Sequence, residues 1–162
     1  MAKFEKAMVF VLRWEGGYVD NPADPGGATN KGVTQGVYTA YRRSKKQVAH
    51  SVFYITDVEV NDIYKTRYWD AAGCERMTEP VSTIAMDIAV NMGVGRVRQF
   101  IDQISKSMDG DPSNDVSEVA HRLLELRTSF YYAIVKRRPA SNVFLKGWLN
   151  RVRALREYCG LK

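Results

Sequence analysis

The chain has 162 residues, 45% hydrophobic and 26% charged, which suits one compact globular body and excludes a disordered or low-complexity chain. A net charge of +6 and a pI of about 9.4 draw it towards polyanions, among which nucleic acid, anionic lipid and bacterial wall polymers all qualify. Its two cysteines and two histidines match no metal-ligand spacing, and no run approaches the ~18 apolar residues of a membrane span, so neither a metal, a cofactor nor membrane insertion is expected.

The apolar spacing of Phe4, Met8, Val11 and Leu12 predicts a helix over 3–14, with Lys3, Lys6 and Arg13 off that face. This opening run is too short and too charged for a secretory leader, so synthesis and retention in a cytoplasm are expected, and a target outside it would be met only after release. Gly16-Gly17 reads as the helix stop, placing Glu15 at the helix end. Residues 16–33 are rich in Gly, Pro, Asp and Asn and read as a long ordered loop, a feature usually tied to function. A short helix is expected from Thr34 to about Arg43, then a polar connector over 45–50. Thr56 and Glu59 have the spacing of a capping box opening a helix to about Tyr68. Pro80 suits a first helical position, and the helix behind it runs to Met92 before Gly93. Helices over 94–107, 115–137 and 141–158 follow, with a turn at Gly110-Asp111-Pro112 and a break at Pro139. Strand character is confined to short pieces at 32–34 and 51–55, so the fold class is all-α or nearly so.

Hydrolysis of a glycosidic bond needs a carboxylic acid to protonate the leaving oxygen and a second group to activate water or stabilise the positive ring carbon. Glu15 has a suitable setting: it ends an apolar helix, follows Trp14 and precedes two glycines that leave a substrate room to approach the backbone. The plainer alternative, a solvated glutamate at a helix end, is open on these residues alone. Asp24 and Asp20 lie in the loop that leaves Glu15, and each is also a good turn former.

The stretch Glu15-Gly16-Gly17-Tyr18-Val19, then Pro22, Asp24, Gly26-Gly27, Thr29-Asn30 and Gly32-Val33-Thr34, resembles the signature of glycoside hydrolase family 108. Tyr64, Tyr68-Trp69-Asp70 and Ala89-Val90-Asn91-Met92-Gly93 match the family pattern further on. These are N-acetylmuramidases found among phage endolysins and bacterial secretion-activator proteins. The resemblance implies a lysozyme-like helical fold with a Gly/Pro-rich active-site loop after the first helix. It implies a catalytic unit over 1–92 and a helical peptidoglycan-binding region over 93–162, packed into one body with it. Glu15 matches the family's catalytic glutamate, and the order Glu15, Asp24, Thr29 is that of phage-type lysozymes, in which the Asp and Thr hold the attacking water. Members often carry Asn then Asp before the first proline. Here the order is Asp20-Asn21, which leaves Asp24 as the better second carboxylate.

Sugar rings stack on flat side chains, so Tyr18, Tyr38, Tyr68 and Trp69 are candidate substrate contacts, each with core packing as its alternative. Asn30 and Asn91 are candidate partners for substrate polar groups, against turn-shaping and helix-capping roles. The implied partner is bacterial peptidoglycan, met by a monomer freed through a holin-dependent route. A non-catalytic peptidoglycan-binding module is the second reading. A nucleic-acid binder is the third: Arg151, Arg153 and Arg156 cluster near the end, but no nucleic-acid motif accompanies them.

Overall fold

The computed structural model describes residues 2–20, 27–108 and 115–162, so Asp24 and the turn at 110–112 lie outside the described residues. Among these residues the fold has seven α-helices and one two-stranded sheet. The expected mostly helical, lysozyme-like class is therefore what is found.

Helix α1 (Lys3–Trp14) buries Ala7, Met8, Phe10 and Val11 on its predicted face. It ends one residue before the glycines: Glu15 itself is the C-cap, in extended conformation (φ −89°, ψ 133°), with its N–H donating to the Val11 carbonyl at 3.3 Å. The left-handed glycine stop expected there is not used, since neither Gly16 nor Gly17 has a positive φ. Among the described residues, nothing lies within 4 Å of where a Cβ at either glycine would sit.

The chain returns as a β-hairpin of β1 (Thr29–Asn30) and β2 (Val33–Thr34), paired Thr29 with Thr34 and Asn30 with Val33. Lys31 (φ 49°) and Gly32 (φ 74°) form its two-residue turn. Two positive φ angles in succession give the twist that suits a tight hairpin. Val19 adds to the β1 edge through reciprocal 2.8 Å backbone bonds with Thr29.

Helix α2 (Gln35–Ser44) is N-capped by Thr34. The short strand expected over 51–55 is instead a 3-10 turn, Val52–Tyr54, because its polar backbone groups are met by the side chains of Gln35, Ser51 and Asn30 rather than by a neighbouring strand. Helix α3 (Asp57–Tyr64) opens with the predicted Thr56–Glu59 capping box and continues as a π-helical turn over Lys65–Asp70. Helix α4 (Val81–Met92) is the centre: every residue from Val81 to Ala89 is buried. It packs against α1, α5 (Val94–Ser107) and α6 (Val116–Arg137), while α7 (Asn142–Tyr158) packs on α6 and touches α1. Side chains from α1 to α7 form one continuous hydrophobic cluster.

Candidate active site

Three elements converge on Glu15. Its Oε1 accepts a 3.0 Å hydrogen bond from Nη1 of Arg151 on α7. Its Oε2 faces the hairpin turn, where an ideal Cβ built on Gly32 would lie 2.9 Å away and would also overlap the Tyr64 hydroxyl. Tyr64, on α3, straps the turn by donating to the Lys31 carbonyl at 3.0 Å. Burial first, and then the charge of Glu15, pushes the Tyr64 hydroxyl well above its ordinary range, so it is a neutral donor here. The Glu15 side chain is one-fifth exposed, open to solvent yet held on two sides.

Arg151 is itself clamped from below. Its Nη2 and Nε donate to Asp87 Oδ1 at 2.7 and 3.1 Å, and Asp87 Oδ2 accepts from Arg127 Nη1 at 2.5 Å. Burial alone would pull the Arg151 pKa down, but the Asp87 and Glu15 carboxylates outweigh it and raise it, so the guanidinium stays charged. Glu15, Arg151, Asp87 and Arg127 thus alternate in sign, which is the arrangement a low-dielectric interior tolerates. The chain of polar contacts extends from Arg127 Nε to the Tyr131 hydroxyl (3.0 Å) and from that hydroxyl to Asn91 Oδ1 (2.5 Å). The Arg151 guanidinium also lies 6.0 Å from the Trp14 ring centroid. Arg151 is therefore an internal side chain and not part of a surface basic cluster that could read nucleic acid.

The other sequence candidates divide. Tyr18 is exposed beside the loop, its hydroxyl donating to Asp20 Oδ2 at 3.3 Å. Thr29 is half-buried on β1, its hydroxyl 3.4 Å from the Gly27 carbonyl. Tyr68 is partly buried, its ring centroid 5.4 Å from that of Tyr64. Asn91 is at the surface, tied to Tyr131. Tyr38 and Trp69 are corrected: both are fully buried and offer no ring face to a sugar. The Tyr38 hydroxyl is spent on Glu59 at 3.0 Å, and the Trp69 indole N–H on Glu75 at 2.9 Å. Partial burial works to raise the Glu59 pKa, but hydrogen bonds from Thr56, Tyr38 and Arg42 outweigh it and hold the carboxyl below its usual range. Asn30 is corrected likewise, being a buried clamp whose Nδ2 donates to the carbonyls of Val52 (3.2 Å) and Phe53 (3.1 Å). Asp24 lies outside the described residues.

Arg151, Asp87 and Arg127 were missed as a group. One signal was present: Asp87 is the lone charge in the apolar run from Val81 to Met92. A buried carboxylate demands a cation, and the sequence does not say which of 24 lysines and arginines supplies it. Among the described residues no cluster of three or more His, Cys, Asp or Glu side chains is placed to hold a metal, and no helix is long and apolar enough to cross a membrane. Cys74 and Cys159 are unpaired, and burial pushes both thiols up to about 12, leaving them inert.

The structure of Brucella abortus SagA is similar over nearly the whole chain, with a TM-score of 0.72 and 27% identity, covering 96% of this chain and 92% of that one. No curated protein matches the sequence. The model of the family described as Glycosyl hydrolase 108 matches residues 8–93, from within α1 to the glycine that ends α4, a span that contains Glu15, the hairpin and Asp87. The chain belongs to glycosyl hydrolase family 108 and is a glycoside hydrolase.

Proposed function

We propose that the protein is a muramidase that hydrolyses the β-1,4 bond between N-acetylmuramic acid and N-acetylglucosamine in bacterial peptidoglycan, with Glu15 as general acid. The observation that carries this reading is the asymmetric hold on the Glu15 carboxyl. Arg151 occupies Oε1, which leaves Oε2, facing the Gly32 turn, as the oxygen free to carry the proton that is passed to the leaving group. Protonation of the leaving oxygen from Oε2 as the bond to the anomeric carbon breaks prevents departure of a bare alkoxide. The Glu15–Arg151 pair fixes the carboxyl before substrate arrives, so little reorganisation remains. Asp24 and Thr29, following the lysozyme order in the chain, position the water that completes the reaction. Residues 93–162 act in one body with the catalytic unit, since α7 supplies the cation that orients Glu15.

Glu15→Gln tests the assignment. Glutamine keeps the shape and can still accept from Arg151, so the fold should survive. Turnover should fall by ~10²–10⁴, the usual worth of general acid catalysis. Release of reducing ends from purified peptidoglycan, with mass spectrometry identifying the new terminus, is the measurement. A folded Glu15→Gln protein that cuts at the wild-type rate assigns the acid elsewhere, and a wild-type protein that holds peptidoglycan but releases no ends is a binding module.

A further inference from the structure

The described surface carries a run of bare aromatic rings that the chemistry at Glu15 does not use. Tyr18, Phe53 and Tyr54 are 40%, 53% and 61% exposed. They form a ladder: Tyr18 meets Phe53 edge to face at 4.9 Å, Phe53 meets Tyr54 the same way at 4.9 Å, and His50 stacks on Tyr54 at 5.0 Å. Contiguous exposed aromatic surface is costly in water and marks a contact site more often than chance.

The ladder is held rigidly. The buried Asn30 amide grips the carbonyls of Val52 and Phe53, and Gln35 accepts from Val52 N–H at 2.8 Å while donating to the His50 carbonyl at 2.9 Å. Val52 and Ile55 anchor the segment in the core on either side of the exposed pair. The backbone that carries Phe53 and Tyr54 is thus set before any ligand arrives, which lowers the ordering cost of binding.

Position selects the ligand. Tyr18 follows Glu15 by three residues, and three extended residues span no more than about 11 Å. The hairpin ties the two places together, its Gly32 end against Glu15 and its Asn30 end against Phe53. We infer that Tyr18, Phe53 and Tyr54 form a stacking platform for the polysaccharide strand at sugar positions beyond the scissile bond. The inference rests on the muramidase reading for the identity of the strand. Pyranose rings present flat C–H faces that pack on aromatic rings while their rim hydroxyls stay hydrated. Asp20, fixed by the Tyr18 hydroxyl, supplies an acceptor at the edge of the first ring.

The test is calorimetric binding of uncross-linked peptidoglycan glycan strands to the full chain in the Glu15→Gln background, where the strand is not consumed. Phe53→Ala and Tyr54→Ala should each weaken binding roughly five- to tenfold, the worth of one aromatic contact, with unchanged circular dichroism. Phe53→Tyr, which keeps the ring, should restore it. Val143→Ala, which removes an exposed apolar side chain on α7, should have no effect. With Glu15 intact, the ring deletions should raise KM and leave kcat. Ring-deleted proteins that bind strands as tightly as their parent overturn the platform. So does a ring-dependent self-association without glycan, which would assign the rings to contacts between copies. If the wild type cuts no peptidoglycan yet loses strand binding when the rings are removed, the muramidase reading falls and the platform stands.

Discussion

At Gly32 the backbone adopts φ 74°, and the missing side chain makes room for Glu15 Oε2 and the Tyr64 hydroxyl. An L residue there carries both the strain of the left-handed region, ~1–3 kcal/mol, and a collision with the two groups that define the site. Gly32→Ala should therefore lower stability by at least ~2 kcal/mol in a urea titration and reduce turnover as well, because the easiest relief moves Glu15 off Arg151. A substituted protein with wild-type stability and rate would show that the turn does not abut the carboxyl as described. Gly32 and Glu15 were both legible in the sequence, because turn chemistry and the family motif are local. Arg151 was not: it lies 136 positions from Glu15 and reads as one of several C-terminal arginines. Tyr38 and Trp69 misled for the opposite reason. Their place in the chain fitted a sugar contact, but burial is decided by packing that a single aromatic position does not reveal.

Among the elements, α4 sets the relation of the others. Its buried stretch offers α1, α5 and α6 an apolar surface on several sides, and Asp87 in its midst fixes where two arginines must come. Helix periodicity predicted α1, α5 and α6, and the Pro80, Gly93 and Pro139 breaks predicted α4 and α7, close to their observed bounds, since both signals are local. Periodicity left open which faces meet, and the Asp87 pairing carries part of that answer by joining α4 to α6 through Arg127 and to α7 through Arg151. Replacing one member of a fully buried ionic cluster leaves the others unpaired at a cost of about 3–5 kcal/mol, far more than the pair's net worth. Asp87→Asn should accordingly destabilise by that amount in denaturant, while Asp57→Asn, whose carboxylate is largely exposed beside Lys31, should cost no more than about 1 kcal/mol. Equal midpoints for the two variants would refute the structural weight given to the cluster.

For the molecule as a whole, the family match ends at residue 93, whereas the hydrophobic cluster and the polar cluster do not. Cutting the chain after Gly93 would strip the shared core of Ile104, Leu123, Leu124 and Leu155, all fully buried or nearly so. Each such side chain stabilises by roughly 1.5–3 kcal/mol on burial. Four of them together rival the ~5–15 kcal/mol that separates a folded domain from its unfolded ensemble. The cut also removes Arg127 and Arg151, leaving Asp87 in apolar surroundings with neither partner and Glu15 without its hold. A fragment of residues 1–93 should thus keep helical far-ultraviolet dichroism in part, lose its near-ultraviolet signal, bind hydrophobic dye and release no reducing ends from peptidoglycan. Mixing it with residues 94–162 should restore the near-ultraviolet signal if the two halves share one core. A fragment of 1–93 that unfolds cooperatively and cuts peptidoglycan unaided would show instead that the later helices are a separable unit and that Arg151 is dispensable for orienting Glu15.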